Sequence, residues 1–131
     1  MILIGVIKNL MGKDALKRIL RQQNHSSLAI KVDLENLKID EYIVIDVRTP
    51  QLYATTPHIQ NSLNVHDIEE LKEFCHQQKE RKILLVCNGG LESARYGSIL
   101  VESGLSNIFY LDEYLQIIED YIPLEHPKEE R

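Results

Sequence analysis

Apolar and polar positions along the chain follow two alternating patterns. Short runs rich in Val, Ile and Leu, such as "YIVIDV" and "KILLVC", are separated by longer segments in which apolar residues recur every three or four positions. The first pattern is typical of strands buried on both faces, and the second of amphipathic helices. Their alternation predicts an α/β fold with a central, mostly parallel, five-stranded sheet and helices on both faces. The predicted strands are Leu28–Val32, Tyr42–Val47, Ser62–Val65, Lys82–Cys87 and Asn107–Leu111.

Several segments between these strands have the periodicity of a helix with one apolar face. They are residues 13–25, residues 66–80, a helix from Ser93 to Gly104, and a last helix from Asp112 to Tyr121. Asp112 is expected to be the N-cap of the last helix, because an aspartate side chain accepts hydrogen bonds from the first backbone N–H groups. Cys75 lies on the apolar face of the second helix, so we expect a buried core residue and not a redox partner.

The first helix belongs to an amphipathic N-terminal extension, residues 1–27, that precedes a predicted domain of residues 28–122. We expect its apolar face to pack on the domain. Contact with a partner protein, with a second copy of the chain or with a membrane surface is the alternative. Residues 123–131, "PLEHPKEER", are proline-rich and charged, and we expect this tail to fray into solvent.

Composition and the opening segment disfavour several classes of protein. With 15 Lys and Arg against 20 Asp and Glu, a net charge of −5, the composition disfavours a nucleic-acid-binding protein, although a local basic patch stays open. The apolar opening, "MILIGVIKNLMG", is too short to span a bilayer and has neither the cationic start nor the cleavage site of a signal peptide. Two cysteines and scattered histidines give no disulfide framework and no metal site, so we expect a cytoplasmic protein without a metal.

One stretch, "KILLVCNGGLESARYGSILVESG", combines a strand, a cysteine, a glycine loop and a helix. Cys87 ends the apolar strand, and the ligands of open parallel sheets bind beyond the carboxyl ends of the strands. Glycines, successive backbone N–H groups and the positive end of a helix together stabilise a thiolate or an anionic group carried on it. The candidate anion loop consists of Asn88, Gly89, Gly90, Leu91, Glu92 and Ser93. The alternative is a buried strand cysteine followed by a simple turn.

Two signatures occur in order along the chain. The first is an apolar strand ending in Asp-x-Arg, then an aromatic residue and His-Ile, as in "YIVIDVRTPQLYATTPHIQNSLNV". The second is an apolar strand, a cysteine, a short loop with glycine, and Ser-Ala opening a helix. The matching positions are Asp46, Arg48, Tyr53, His58, Ile59 and Asn64 in the first signature and Cys87, Gly90, Ser93 and Ala94 in the second. Both resemble signatures of the single-domain rhodanese-like sulfurtransferases, over roughly Ile30 to Leu111.

The resemblance implies a rhodanese-like fold and sulfur transfer without a cofactor. Cys87 would attack the sulfane sulfur of a donor such as thiosulfate, 3-mercaptopyruvate or a protein persulfide. The Cys87 persulfide would then pass its outer sulfur to cyanide or a thiol, which is nucleophilic catalysis in two displacements. The implied partners are a small sulfur donor or a protein that donates or accepts persulfide sulfur. We assign Asp46 and Arg48 to holding the loops beside the site, and His58 to a backbone hydrogen bond.

Several positions depart from the family's pattern. Active members commonly place an arginine five residues after the cysteine, where this chain has Glu92. A carboxylate there is expected to repel thiosulfate and to disfavour the thiolate, so we expect thiosulfate to be a poor donor. Arg95, one helical turn on, is expected to pair with Glu92, to reach the loop, or to be a solvated helix charge. The other departures are Leu52, Asn61-Ser62 and Glu113-Tyr114.

Two other functions stay open. Glu92 and the amphipathic extension are compatible with a non-catalytic, rhodanese-like binding or regulatory module. A phosphatase or arsenate reductase also uses a thiolate beneath a helix end, but such enzymes need an arginine typically six residues beyond the cysteine. Ser93 occupies that position, which disfavours the oxyanion chemistry.

Overall fold

The computed structural model describes residue 12, residues 14–21 and residues 23–128. The expectations for the apolar opening fall mainly on residues 1–11, and those for the end of the tail fall on residues 129–131. Both lie outside the described residues. No helix in the described ranges is long and apolar enough to cross a membrane.

A five-stranded parallel sheet forms the centre of the protein. The strands, in chain order, are β1 (Ile30–Lys31), β2 (Tyr42–Asp46), β3 (His58–Ile59), β4 (Leu63–Asn64), β5 (Lys82–Val86), β6 (Ile108–Tyr110) and β7 (Leu124–Glu125). The sheet has the spatial order β1-β6-β5-β2-β4, with β2 and β5 pairing along their full lengths. β3 and β7 form a separate antiparallel pair. The predicted α/β class and the five predicted strands are confirmed, although each observed strand is shorter.

Helices cover both faces of the sheet. Those that the structure describes are α1 (residues 14–20), α2 (Pro50–Thr55), α3 (Ile68–Gln77), α4 (Leu91–Glu102) and α5 (Leu115–Ile118), with 3-10 turns at Leu34–Asn36 and Ile39–Glu41. The four predicted helices are confirmed, three with shorter bounds and α4 beginning and ending two residues earlier than predicted, but α2 was not predicted. Helix α2 buries none of its residues, so its sequence shows no repeating apolar positions that would predict a helix. The remaining signal for a helix start is Thr49 at the N-cap followed by Pro50.

The two faces of the sheet bury two separate apolar cores, and β5 contributes to both. Ile83 and Leu85 belong to the core beneath α3 and α4, whereas Leu84 and Val86 belong to the core beneath α1 and α5. All four side chains are fully buried. Since successive side chains of a strand point to opposite faces, burial on both faces explains why β5 is a continuous apolar run.

Helix α1 packs on the second core, as its apolar face predicted. Leu16 and Leu20 are buried there. At the end of the helix, Arg21 Nη2 lies 3.0 Å from Glu113 Oε2 in the segment that follows β6. These contacts fix α1 against the body of the protein.

The expectation that Asp112 caps the last helix is wrong. Helix α5 begins at Leu115, and its N-cap is Tyr114, which makes no side-chain capping bond. The carboxylate of Asp112 instead accepts hydrogen bonds from His25 and Lys31. Lys31 and the backbone N–H group of His25, both far from Asp112 along the chain, therefore bind this carboxylate in place of the local backbone N–H groups.

The expectation that the tail frays is wrong for its first residues. Leu124 and Glu125 pair with Ile59 and His58 as strand β7. Leu124 is buried in the second core, and His58 Nε2 lies 3.0 Å from Glu125 Oε2. Burial of Leu124 and the contact between His58 and Glu125 thus hold a segment whose composition, taken alone, is typical of a solvated tail.

The chain segment of residues 27–29 lies directly on helix α4 at Gly97. A Cβ atom at Gly97 would lie 2.7 Å from Ala29 Cβ and 2.9 Å from Ser27 Oγ. Ser27 Oγ also donates a hydrogen bond to the Ala94 carbonyl oxygen at 2.7 Å. The segment leading into β1 is therefore held against the helix that follows Cys87.

Gly97→Ala is expected to lower the free energy of unfolding by about 1–3 kcal/mol, because the added methyl group overpacks this contact. At an exposed helix position the same change would stabilise by about 1 kcal/mol, so the sign of the effect tests the contact. Urea unfolding followed by circular dichroism measures it. The double variant Gly97→Ala/Ala29→Gly removes the facing methyl and should recover part of the loss. A Gly97→Ala protein as stable as the wild type would contradict the close approach.

Cys75 is a buried core residue, as predicted. Its side chain has no exposed surface, and burial raises the pKa of the thiol to about 12. Since the thiolate is the reactive form, we expect Cys75 to resist alkylation in the folded protein. In a Cys87→Ser variant, iodoacetamide should add no mass under native conditions and one carbamidomethyl group after unfolding in urea. Labelling of the folded variant would show that Cys75 is accessible.

Candidate active site

Cys87 follows β5 directly and lies at the carboxyl edge of the sheet. Its side chain is only 3% exposed. The Ser93 N–H group, in the first turn of α4, donates to Cys87 Sγ at 3.4 Å, and the Cys87 thiol donates to Ser93 Oγ at 3.5 Å. The N–H contact is available to a thiolate as well as to a thiol, so it favours negative charge on the sulfur.

Ser93 links the sulfur to the loop of residues 88–93, the Cys87 loop. Its side chain is fully buried. The hydroxyl group donates to the carbonyl oxygens of Gly90 and Leu111, each at 3.0 Å. While its proton is shared between two carbonyls, the hydroxyl oxygen keeps lone pairs that accept from Cys87. One residue thus joins the sulfur, the loop and the segment following β6.

The Cys87 loop is tied down by the segment that follows β6. Gly89 N–H donates to the Glu113 carbonyl oxygen at 3.1 Å, and Leu115 N–H donates to Asn88 Oδ1 at 3.0 Å. Gly89 has φ +100°, and a Cβ atom there would lie 3.1 Å from the ring of Tyr114. Glycine at this position leaves room for the tyrosine ring.

The second glycine of the loop, Gly90, lies against the carboxylate of Asp112. Gly90 has φ +88° and is the N-cap of α4. A Cβ atom at Gly90 would lie 2.0 Å from Asp112 Oδ1 and 2.7 Å from Asp112 Cα. Both the left-handed backbone and the close approach of Asp112 therefore require glycine here.

The loop offers fewer unoccupied N–H groups than its sequence suggests. Gly89 N–H is bound to a backbone carbonyl, and Ser93 N–H is directed at the sulfur. The N–H groups of Gly90, Leu91 and Glu92 have no acceptor among the described residues. These groups, at the beginning of α4, are suited to receive an anionic sulfur.

Glu92 and Arg95 form an ion pair on the exposed side of α4. Arg95 Nη2 lies 2.6 Å from Glu92 Oε2, and both side chains are about half exposed. Of the alternatives for Arg95, pairing with Glu92 is the one found. An exposed pair of this kind contributes little to stability, but it neutralises the arginine beside the loop.

The carboxylate of Asp46, at the end of β2, is fully buried and binds Arg48 at two points. Arg48 Nε lies 3.0 Å from Asp46 Oδ1, and Nη2 lies 2.9 Å from Oδ2. The guanidinium also donates to Thr56 Oγ1 at 2.8 Å and to the Pro57 carbonyl at 3.1 Å. This bidentate pair holds the loop between β2 and β3 next to the carboxyl end of β5.

His58 has a structural environment. Its Nδ1 lies 2.8 Å from the Tyr53 carbonyl oxygen, as expected, and its ring stacks on the Tyr53 ring with centroids 3.8 Å apart. With Nε2 facing Glu125, both ring nitrogens are occupied. The described residues include no group of His, Cys, Asp and Glu side chains suited to a metal ion.

In the part of the chain that the structure describes, the lysine and arginine side chains beside the Cys87 loop are each paired with a carboxylate. The pairs are Arg48 with Asp46, Arg95 with Glu92, Lys31 with Asp112, and Arg21 with Glu113, at 2.6–3.0 Å. Small dianions are normally held by uncompensated Lys or Arg charge in addition to backbone N–H groups. Positive potential at the loop therefore comes mainly from the beginning of α4.

A cleft of about 450 Å³ opens beside Asn88, the neighbour of Cys87. Its walls are mainly apolar and include Leu52, Pro57, Leu115 and Leu124, together with Arg48 and Glu119. The surface next to Asn88 is thus mainly apolar, and the arginine that lines it, Arg48, is paired with Asp46.

Sequence reasoning missed the contacts that Asp112 and Tyr114 make with the loop, and missed His25 entirely. The signal available was the pair Gly89-Gly90, since consecutive glycines indicate that other groups approach the backbone closely. Nothing in the local sequence identifies which residues make that approach.

Comparison with known proteins assigns this architecture to a family. A family model described as the rhodanese-like domain matches residues 31–115. The chain is 26% identical over 85 residues to the thiosulfate sulfurtransferase GlpE of Pseudoalteromonas translucida, covering 65% of this chain and 80% of that protein.

Solved structures give the same result. The solution structure of the protein hp1203 of Helicobacter pylori matches with a TM-score of 0.69 and 25% identity, covering 77% of this chain and 96% of that chain. A rhodanese-related protein of Thermoplasma volcanium matches with a TM-score of 0.59 and 30% identity, covering 73% of this chain and 97% of that chain. The matched residues include the whole Cys87 loop and all of the five-stranded sheet except Ile30, and the chain belongs to the rhodanese-like domain family.

Proposed function

We propose that the chain is a sulfurtransferase or persulfide carrier in which sulfane sulfur travels on Cys87, and that its donor is not thiosulfate. The observation that carries this proposal is the position of the Cys87 sulfur, which accepts a hydrogen bond from the Ser93 N–H group at the beginning of α4. A helix N-terminus and unoccupied loop N–H groups stabilise a sulfur anion. Membership of the rhodanese-like family supports the same chemistry.

The proposed transfer consists of two displacements at sulfur. In the first, the Cys87 thiolate attacks the sulfane sulfur of the donor. A new S–S bond forms, the bond between that sulfur and the donor breaks, and its electron pair leaves with the donor. In the second, an acceptor thiolate attacks the outer sulfur, and Cys87 leaves as the thiolate. The unoccupied N–H groups of the loop stabilise the persulfide anion between the two steps, and no cofactor is consumed.

Charge beside the loop supports a donor other than thiosulfate. The neighbouring cations are already paired, and the half-exposed Glu92 adds repulsion toward a dianion. We therefore propose a neutral or cationic donor, or a persulfide carried by a protein. The relative from Pseudoalteromonas is named for thiosulfate. For this chain we propose a different donor because of Glu92.

A non-catalytic binding or regulatory module is the second candidate. One observation favours it: Cys87 is only 3% exposed, so a donor reaches the sulfur only by a narrow approach or after movement of the loop. In such a module, partner binding would persist in Cys87→Ser, and no donor would load sulfur onto the wild type.

We further propose that residues 28–122 form the sulfur-carrying domain, preceded by an extension of residues 1–27 and followed by a charged segment of residues 123–131 whose first residues pair with the domain as β7. We place its action in the cytoplasm. Both cysteines are free thiols, and a reducing compartment preserves a thiol that must alternate with its persulfide.

Sulfur loading on Cys87 is the first expectation. Wild-type protein incubated with a persulfide-loaded cysteine desulfurase should gain the mass of one sulfur atom and should lose it on reduction, whereas thiosulfate should load it poorly. Intact-mass spectrometry measures the gain. Cys87→Ser should gain nothing, while the control Cys75→Ser should gain the same sulfur as the wild type. If no donor loads the wild type, the sulfur-carrier proposal is wrong and the binding module is favoured.

Glu92 is expected to set the donor preference. Glu92→Gln removes the charge at nearly constant size and releases Arg95, so loading from thiosulfate should rise about tenfold, as expected for a partly screened unit charge. Glu92→Arg should raise it further. The double variant Glu92→Gln/Arg95→Met should lose most of the gain if the released arginine supplies it. Time courses of intact mass give the rates, and equal thiosulfate rates in all four proteins would show that Glu92 does not select the donor.

A further inference from the structure

The carboxylate of Asp112 joins the beginning of the described chain to the Cys87 loop. The Asp112 side chain is 3% exposed. Its Oδ2 accepts from His25 N–H at 2.6 Å and from Lys31 Nζ at 3.0 Å, and its Oδ1 lies 2.8 Å from His25 Nδ1. Burial opposes the charge, but these donors outweigh it and hold the pKa of Asp112 below its ordinary value. Asp112 is therefore a fixed carboxylate at neutral pH.

The same carboxylate lies against Gly90, where its Oδ1 occupies the place that a Cβ atom would take. The Gly90 carbonyl accepts the Ser93 hydroxyl and the Ala94 N–H group, each at 3.0 Å. Gly90 is thus the point at which α4 begins and at which Ser93 is anchored. Displacement of Asp112 would release Gly90, and with it the serine that contacts the Cys87 sulfur.

His25 is itself held in place by the body of the protein. Its carbonyl oxygen accepts from the Tyr110 hydroxyl at 2.8 Å, and further along the segment Leu28 N–H donates to Ser98 Oγ in α4 at 2.9 Å. The family match begins at residue 31. His25 therefore contributes to the loop from outside the part of the chain that defines the family.

We propose that Asp112, held by His25, is a positioning residue for the Cys87 loop. It fixes Gly90, and through Gly90 it fixes the Ser93 groups that contact the sulfur. The segment around His25 is then a part of the sulfur-transfer site and not only a packing element. This inference rests on the proposed function, because it gives the contact a role in the reactivity of Cys87.

The test measures Cys87 reactivity in a Cys75→Ser background, where Cys87 is the remaining thiol. Two rates are compared: alkylation by iodoacetamide across a pH series, and sulfur loading from a persulfide-loaded cysteine desulfurase. Asp112→Ala should slow both about tenfold at neutral pH and move the alkylation profile to higher pH, because the weakened Ser93 hydrogen bond to the charged sulfur outweighs the opposite effect of removing the Asp112 charge and freeing Lys31. Simple loosening of the loop would raise alkylation at every pH without moving the profile.

The histidine is tested by a pair of variants. His25→Leu should slow both rates about threefold, a smaller effect because the backbone N–H group of residue 25 still donates to Asp112. His25→Asn places a side-chain N–H group at the position of Nδ1 and should restore most of the wild-type rate. This rescue would not be expected if residue 25 only filled space.

The matched control is His76→Leu. It removes a partly buried histidine that lies 3.1 Å from Ser103 Oγ, at the opposite end of α4, and it should leave both rates unchanged. Thermal unfolding reports whether each variant is folded, and the nearly isosteric Asp112→Asn replaces Asp112→Ala if the alanine variant is not.

The outcomes separate this inference from the proposed function. If the wild type loads sulfur but the Asp112 and His25 variants keep its rates and its alkylation profile, the inference is overturned and the function stands. If no donor loads the wild type but the profiles move as expected, the positioning contact stands and the function fails. Effects of equal size in His76→Leu would also overturn the inference.

Discussion

The active site depends on the contact between two neighbouring loops, the one that follows β5 and the one that follows β6. Because these strands are adjacent and parallel, their carboxyl ends lie side by side, and each loop satisfies buried polar groups of the other. Gly89 N–H binds the Glu113 carbonyl, and the Ser93 hydroxyl binds the Leu111 carbonyl. The Cys87 loop therefore keeps its shape through backbone groups of the neighbouring loop.

The contact between the two loops places buried carboxylates beside the Cys87 loop, and neighbouring cations offset the cost of burying that charge. Asp112 and Glu113 are acidic residues buried next to a loop that is suited to an anion. Burial raises the pKa of Glu113 above its ordinary value, although Arg21 opposes the shift, whereas His25 and Lys31 lower the pKa of Asp112. The cations of the region are thus engaged in stabilising the scaffold. What remains for an incoming sulfur is the weaker positive potential of backbone N–H groups.

The sequence predicts the centre of this fold well because the relevant signals are local. The continuous apolar runs of β2 and β5 follow from burial on both faces, and the position of Cys87 follows from the end of one such run. The short helix α2 escapes prediction because it has no buried face. Strand β7 is not predicted because its partner, β3, lies more than sixty positions away along the chain. Only the folded structure brings Glu125 next to His58 and Leu124 next to Ile59.

The contacts around the loop escape prediction for a related reason. A lone aspartate after a strand fits a helix cap as well as a long-range partner, and His25 lies 87 positions from Asp112 along the chain. Pairings over such distances leave no periodicity, and no motif marks either residue. The glycines at positions 89 and 90 indicate that other side chains lie close to the loop backbone, but they do not identify those side chains.

The short edge strands of the sheet have a further consequence, for aggregation. The two outermost strands, β1 and β4, are each only two residues long, and apolar residues on both of them, Ile30 and Leu63, are about half exposed. Long exposed edges recruit strands from other molecules, whereas short ones, particularly with a lysine such as Lys31, offer little template. The aggregation-prone sequences of β2 and β5 thus lie in the interior of the sheet, and the edge strands are too short to start an intermolecular sheet.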